Sequence, residues 1–272
     1  MSDIGEKYFQ FPLCALSYGK DPYQRFNYIV DYGCYTAGLK MLNRIPPEFR
    51  HQKAEEFVRS FSGYRKNKTE DVAFALGAQQ LNINYGSNSN IADILERVRV
   101  LLDFKRRFEQ VHKPDVEVRI ATQLVFEVRD KKGMTYREFS VLAALYSRIG
   151  AKKYPVRVTR DCIQCRALGY KSPVIMATEL PNRMDGAKPL SLHQINYTLD
   201  ALHERKFFAR ARANKRQTYY SHRMPQEQLE QALISSKTYS QQFHQKRRQR
   251  DSELIEKISQ AKAVIKVNGL LK

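Results

Sequence analysis

Apolar residues repeat at helical spacing between residues 191 and 205. Ser191 stands before this run and Gln194 three residues later, which is the spacing of a capping box at a helix N-terminus. We therefore predict a helix over 192–205 with one buried face. The apolar residues at helical spacing are Leu192, Ile195, Leu199 and Leu202. The opposite face would carry His193, Gln194, Tyr197, Ala201, Glu204 and Arg205.

A basic hairpin is predicted directly after this helix. Two runs that mix apolar and basic residues, 207–212 and 217–223, flank a polar turn at 214–216. Short runs of this kind around a turn are typical of two paired strands. Residues 205–223 contain seven Lys or Arg and no Asp or Glu, so the hairpin carries charge of one sign.

Two capped helices and a short strand are predicted before residue 170. Thr135 caps a helix that Gly150 ends, and Glu138 completes a second capping box. Residues 154–158 predict a short strand. Thr159 caps a helix over 160–168, which Gly169 closes.

Residues 134–223 resemble the winged helix-turn-helix DNA-binding proteins, in the MarR-type pattern of a capped amphipathic helix followed by a basic wing. The resemblance implies that the exposed face of helix 192–205 reads bases in the major groove and that the wing contacts phosphates. The predicted DNA-binding residues are His193, Gln194, Tyr197, Arg205, Arg210, Arg212, Lys215 and Arg216.

A second assignment of the recognition helix stays open at the level of sequence. A helix-turn-helix joins its helices by a turn of about 3–4 residues, whereas residues 170–190 separate Gly169 from Ser191. Either these residues are an insertion, or a helix over 173–180 is the one that follows the turn. The second case would make Lys171, Ser172 and Thr178 the contact candidates. We favour the first, because the wing directly follows helix 192–205.

The N-terminal part, residues 1–114, reads as a helical domain. Residues 8–16 look like a packed segment or short strand. Residues 116–128, just beyond this domain, fit either a strand or a short helix. A protein-interaction or dimerisation role suits the domain, and no catalytic cluster is visible in it. The predicted helices run over 22–42, where Gly33 and Gly38 weaken the pattern, and over 47–61, 69–78 and 91–112.

The predicted fold class is mainly α with a small β wing (α+β). A winged-helix domain over 115–224 would follow the helical domain, and a basic helical extension would occupy 225–272. The extension is polar with a thin apolar stripe. It would either pair with another chain or lie on phosphates, and a solvated helix face is the alternative. The stripe consists of Leu229, Leu233, Phe243, Leu254, Ile258 and Ile265.

The charge balance favours a polyanionic partner. The net charge is +19, and residues 115–272 carry 30 basic and 15 acidic side chains against 17 and 13 in residues 1–114. The second half should therefore hold the polyanion site. No apolar run has the length of a membrane span, and the N-terminus does not resemble a secretory signal. We expect a cytoplasmic, nucleoid-associated protein with free thiols and no membrane partner.

No sequence motif points to catalysis, a metal or another cofactor. Cys162 and Cys165 form the one short motif that stands out, but a zinc site needs four ligands. At this helical spacing the two cysteines more simply fill a packed face. Nucleotide-binding and hydrolase signatures are absent, so we expect a binding protein and not an enzyme.

The expected function is double-stranded DNA binding, as a transcriptional regulator or as a replication initiator of the plasmid or phage type. A homodimer is the default, because such proteins commonly read two half-sites. The alternatives are a nucleic-acid-binding subunit of a larger mobile-element or defence complex, and an RNA-binding protein. Only the mixture of aromatic and basic residues in the N-terminal half favours RNA.

Overall fold

The computed structural model describes residues 8–58, 61–65, 67–86, 89–112, 114–129, 133–150, 152–183, 186–214 and 217–236. It also describes positions 245, 248–250, 252–253 and 255–256.

The described residues are mostly helical and include two small antiparallel sheets, in agreement with the predicted α+β class. The first half contains β1 (Tyr8–Pro12), a 3-10 helix (Leu13–Ser17), α1 (Pro22–Leu42), α2 (Pro47–Val58), α3 (Thr69–Leu81) and α4 (Ile91–His112). The second half contains β2 (Glu117–Ala121), α5 (Thr122–Arg129), α6 (Tyr136–Ile149), β3 (Val156–Arg157), α7 (Arg160–Ala167), α8 (Pro173–Glu179), a 3-10 helix (Leu180–Asn182), α9 (Leu192–Glu204), β4 (Ala209–Asn214) and β5 (Gln217–Ser221). Residues 226–236 form a further helix.

Local capping signals determine where the long helices begin. The Asp21 carboxylate accepts a hydrogen bond from the Gln24 N–H at 2.8 Å, so α1 begins where predicted. The Asn90 side chain likewise accepts from the Ala92 N–H at 2.9 Å ahead of α4. Residues 116–128, which the sequence left open between strand and helix, contain both β2 and most of α5.

The first sheet joins the start of the chain to the segment that follows α4. In this antiparallel pair of β1 and β2, Phe9 lies opposite Ile120 and Phe11 opposite Val118, and all four side chains are fully buried. The predicted domain boundary at residue 114 therefore falls between two strands of one sheet.

Helices α1 and α3 cross with their backbones in contact. A Cβ added to Gly38 would lie 1.6 Å from the Ala73 carbonyl oxygen, and one added to Gly77 would lie 1.8 Å from the Cys34 carbonyl oxygen. Glycine lowers helix propensity, but no other residue allows this approach. Gly38, which weakens the helical pattern of α1, is thus required by its packing.

A cluster of aromatic rings connects the two halves of the chain. The Phe139 ring of α6 stacks on Phe11 of β1, with 5.8 Å between centroids, and meets Phe26 of α1 edge-on at 5.4 Å. All three rings belong to one hydrophobic cluster that also includes side chains of α4 and α9. The helical N-terminal part and the following elements therefore share a core.

The second half builds a helical layer beside a three-stranded sheet. The predicted capping box of α6 is confirmed, because the Thr135 N–H donates to the Glu138 carboxylate at 2.7 Å and the Glu138 N–H donates to the Thr135 hydroxyl at 3.2 Å. In the sheet, β5 lies between β3 and β4 and pairs antiparallel with both. The predicted hairpin of β4 and β5 is confirmed.

The helix over 226–236 covers one face of this hairpin. Leu229 and Leu233 are buried against Ala209 and Ala211 of β4. These leucines belong to the predicted stripe of the C-terminal extension, whose Phe243, Leu254, Ile258 and Ile265 lie outside the described residues. Within the described ranges, every helix is too short or too polar to cross a bilayer.

A buried ion pair connects α1 to α4. The Asp31 carboxylate accepts from the Arg97 guanidinium at 2.7 Å and from the Tyr85 hydroxyl at 2.9 Å. Burial raises the pKa of Asp31 to about 6, although Arg97 and Tyr85 both lower it. Because this pKa lies above that of an unfolded Asp, the folded state binds more protons between the two values, and the contribution of Asp31 to stability is lost as the pH rises through about 6.

We predict that Arg97→Gln lowers the free energy of unfolding by about 3 kcal/mol at pH 8 and by clearly less at pH 5. Removing one partner leaves an uncompensated buried charge, and a protonated Asp31 at pH 5 carries none. Urea unfolding at both pH values measures the difference. Arg99→Gln on the same helix is the control, because the Arg99–Glu70 pair is about half exposed on both sides, and it should cost less than about 1 kcal/mol. Equal losses at both pH values for Arg97→Gln would contradict the role of Asp31.

Candidate nucleic-acid interface

The helix at the centre of the predicted interface, α9, begins with the predicted capping box. The Gln194 N–H donates to the Ser191 hydroxyl at 3.2 Å, and the Ser191 N–H donates to the Gln194 amide oxygen at 2.8 Å. Two backbone N–H groups at the helix start are thus satisfied. The helix ends at Glu204, one residue before the predicted end.

The buried face of α9 matches the prediction except at its first residue. Ile195, Leu199 and Leu202 are buried within the main hydrophobic cluster, but 47% of Leu192 is exposed. The prediction that Leu192 is buried is therefore wrong. Leu192 lies in the first turn, and Leu190, just before the cap, packs against the cluster instead.

The outer face of α9 divides into two halves of different character. Toward the N-terminus it exposes His193, Gln194 and Tyr197, and this half contains no Asp or Glu. Toward the C-terminus it exposes the carboxylates Asp200 and Glu204. The N-terminal half can therefore approach an anionic surface with less repulsion than the C-terminal half, and the helix macrodipole acts in the same direction.

Gln194 would serve both as part of the helix cap and as a base contact. It is exposed, as the prediction of base contact requires, but its amide oxygen already accepts the Ser191 N–H. The amide nitrogen remains a donor that can face outward. His193 and Tyr197 lie on the same exposed surface, with Tyr197 69% exposed.

Two of the predicted cations form ion pairs within the chain. The Arg205 guanidinium donates to Glu127 at 2.9 Å and to Glu138 at 3.4 Å, and it lies over the Phe207 ring. Arg210 donates to Asp200 at 2.5 Å. These contacts tie the end of α9 to α5 and α6, and the wing to α9, so both charges are largely neutralised.

The remaining predicted cations lie farther along the hairpin. Arg212 is exposed and has no carboxylate partner among the described residues. Lys215 and Arg216, at the turn, lie outside the described residues.

The sequence prediction missed an exposed cation, Arg160, in the first turn of α7. Burial raises the pKa of Tyr220 on β5, while the positive charges of Arg210, Arg160 and Arg212 act against that rise. Arg210 lies directly opposite Tyr220 in the sheet, Arg212 lies two residues farther along β4, and Arg160 follows β3, the strand on the other side of β5. In the sequence, Arg160 directly follows the predicted strand 154–158 and the helix cap Thr159. A basic residue at a predicted helix start beside a predicted strand was the signal that could have identified it. Arg157 on β3 is also exposed.

The segment between α7 and α9 packs beside the interface. Its helix α8 has no fully buried residue, and the side chains of His112 and Glu179 meet at 2.8 Å, which joins α8 to α4. Of the alternative contact candidates, Lys171 donates to the Pro114 carbonyl at 2.9 Å, Ser172 caps α8 and Thr178 donates to the Val174 carbonyl. Each of the three thus makes a contact within the chain.

The cysteine pair has the packing role that its spacing predicts. Cys165 is buried and Cys162 half-buried, and burial raises the pKa of Cys165 to about 11. A thiol with a raised pKa is a poor nucleophile and metal ligand. Among the described residues, no group of three or more His, Cys, Asp or Glu side chains could hold a metal ion.

We predict that Ser191→Ala lowers the free energy of unfolding by about 1 kcal/mol, because the first turn of α9 loses its cap. Gln194→Ala should cost up to about 1 kcal/mol through the loss of the reciprocal bond. Urea unfolding measures both values. The control is His193→Ala on the same exposed turn, with an expected change within about 0.5 kcal/mol. Unchanged stability in both cap variants would refute the capping box.

Comparisons of the chain with protein-family models, with curated proteins and with solved structures found no match. The functional interpretation of this surface therefore depends on its own residues, charges and contacts.

Proposed function

We propose that the protein binds double-stranded DNA through a winged helix-turn-helix unit over residues 134–223. The observation that carries the proposal is the exposed N-terminal half of α9, which contains no Asp, Glu, Lys or Arg, beside a sheet that carries Arg212 and is followed by Arg160. Neither arginine has a carboxylate partner among the described residues. The order of elements supports it, because α6, β3, α7, α9 and the hairpin of β4 and β5 follow one another as the family resemblance implies.

In this proposal α9 is the recognition helix. It leads directly into the wing, and its apolar face packs in the core together with α6 and α7. Helix α8 has only seven residues and its neighbouring side chains are engaged with the rest of the chain. We therefore assign residues 170–190 as an insertion beside the recognition helix.

The N-terminal half of α9 would enter the major groove. Recognition helices commonly contact base edges with their N-terminal residues, and His193, Gln194 and Tyr197 occupy that position here. The Gln194 amide nitrogen can donate to a base acceptor while its oxygen holds the helix cap. Asp200 would face the duplex less closely, and its pairing with Arg210 reduces repulsion by phosphate.

Phosphate contacts would come from Arg160 and Arg212, together with Lys215 and Arg216 of the wing turn. Such contacts position a protein on DNA without reading its sequence. Arg205 and Arg210, whose charges are engaged by carboxylates, would instead fix the angle between α9, α6 and the wing.

The biological role is proposed as transcriptional regulation or as initiation of replication. Binding of genomic fragments would discriminate between them, because a promoter indicates the first and an origin with repeats the second. A homodimer would read two half-sites, and the helical N-terminal part would recruit protein partners. Stable copurification with other subunits would favour the larger-complex alternative, and preference for single-stranded RNA over duplex DNA would favour the RNA alternative.

We predict that Gln194→Ala weakens binding to the preferred duplex by about 1–3 kcal/mol and leaves binding to random duplex nearly unchanged. Fluorescence polarisation with both duplexes measures the two affinities, with the preferred duplex selected from genomic fragments. Ser191→Ala is the matched control, because it breaks the same capping box without removing the exposed amide. If Ser191→Ala costs as much affinity as Gln194→Ala, the helix cap and not base contact explains the loss.

We also predict that Arg160→Gln and Arg212→Gln each reduce the slope of log K against log salt by about 0.9, because each removes one phosphate contact. The slope is measured on random duplex over a salt series. Arg205→Gln should change it little, since Glu127 and Glu138 already engage this guanidinium. Arg106→Gln on α4 controls for the change in net charge. An unchanged slope in both Arg160→Gln and Arg212→Gln would refute phosphate contact at these positions.

A further inference from the structure

A basic cavity of about 440 Å³ lies on the N-terminal part of the protein, away from α9 and the wing. Its walls come from the outer face of the sheet of β1 and β2, the second half of α1 and the end of α3. The volume lies within the range of pockets that hold small ligands. None of the described residues that line it belongs to the proposed DNA-binding unit.

Three cations line this cavity: Lys40, Arg44 and Arg119. All three are exposed, and the described residues that line the cavity include no Asp or Glu. Among the described residues, none of the three has a carboxylate within ion-pair distance. A concave site with charge of one sign concentrates anions from solution.

Two cations elsewhere in the first half of the chain are, by contrast, paired with carboxylates. Arg65 bonds to Asp71 at 3.0 Å, and Lys105 bonds to Glu117 at 3.0 Å. Glu117 belongs to the same strand as Arg119, but its carboxylate is engaged by Lys105. Glu117 is therefore not available to neutralise the cations of the cavity.

The cavity also contains a flat platform and a fixed donor. The Arg119 guanidinium lies 4.2 Å above the centroid of the Tyr8 ring. The Lys40 ammonium donates to the Gln10 amide oxygen at 2.7 Å, and it keeps two further N–H groups for a ligand. Nucleic-acid bases stack on guanidinium planes and on aromatic rings.

We propose that this cavity binds a nucleotide, with its phosphate held by Lys40 and Arg44 and its base stacked on the Arg119–Tyr8 platform. The phosphate belongs either to a free nucleotide or to the 5′ end of a strand, and both present the same chemistry. This site is independent of the proposed binding of duplex DNA.

Isothermal titration calorimetry of the full chain tests the proposal. The probes are the 5′-monophosphates of adenosine, guanosine, cytidine and thymidine, their unphosphorylated nucleosides, inorganic phosphate and a 5′-phosphorylated tetranucleotide. At least one phosphorylated probe should bind about tenfold or more tightly than its nucleoside and than inorganic phosphate. Tighter binding of the free nucleotide or of the tetranucleotide identifies the source of the phosphate.

The variants Lys40→Gln, Arg44→Gln and Arg119→Gln should each weaken nucleotide binding by about tenfold, since each removes a charged donor. Arg106→Gln is the charge-matched control, because Arg106 lies on α4 outside the cavity, and it should change affinity less than about twofold. All four side chains are exposed or half-buried, and thermal unfolding monitors folding of each variant.

Three results would overturn the proposal: no binding of any nucleotide at millimolar concentration, equal affinity for nucleotide and inorganic phosphate, or equal weakening by Arg106→Gln. Duplex binding is measured on the same variants and should not change. Absence of nucleotide binding would refute the cavity proposal alone, and absence of duplex binding would refute the proposed DNA-binding unit alone.

Discussion

The packing of Phe139 is the contact that joins the N-terminal elements of the described structure to the elements that follow them. Its ring lies where β1, α1 and α6 meet, stacked on Phe11 and edge-on to Phe26. Because interiors are close-packed, this contact fixes α6 relative to the N-terminal helices. Helix α9 packs on α6. The packing of α6 on the N-terminal core therefore sets the orientation of the proposed recognition surface. A division of the chain at residue 114 would separate strands that share a sheet and rings that share a core.

The elements that could be predicted from sequence are those whose signals are local. The caps at Asp21, Thr135 and Ser191 act on N–H groups only three residues away, so their spacing in the sequence already describes the contact. The pairing of β1 with β2 has no such signal, because more than a hundred residues separate Phe11 from Val118. Gly38 was misleading for the same reason: its propensity opposes a helix, and the backbone of α3 that requires it is distant in sequence.

The sequence alone also could not show which cations of the candidate site are paired with carboxylates. The seven basic residues of 205–223 are equivalent when counted along the sequence. The fold separates them, because Arg205 meets Glu127 and Glu138, whereas Arg212 has no carboxylate partner in the part of the chain that the structure describes. These acidic residues lie 78 and 67 positions before Arg205. Net charge therefore indicates the class of partner, but only the folded positions of the carboxylates indicate which cations remain available to that partner.

The paired and unpaired charges together restrict how the proposed unit approaches a duplex. The helix over 226–236 covers one face of the hairpin through Leu229 and Leu233, so the described residues of the hairpin present its other face. Arg210 on that other face is held by Asp200, which couples the wing to the C-terminal half of α9. Arg210 thus partly neutralises the acidic C-terminal half of α9. The N-terminal half contains no Asp or Glu and lies at the positive end of the helix dipole. In the proposed complex, these constraints favour an approach with the start of α9 in the groove and the uncovered face of the hairpin along the phosphates.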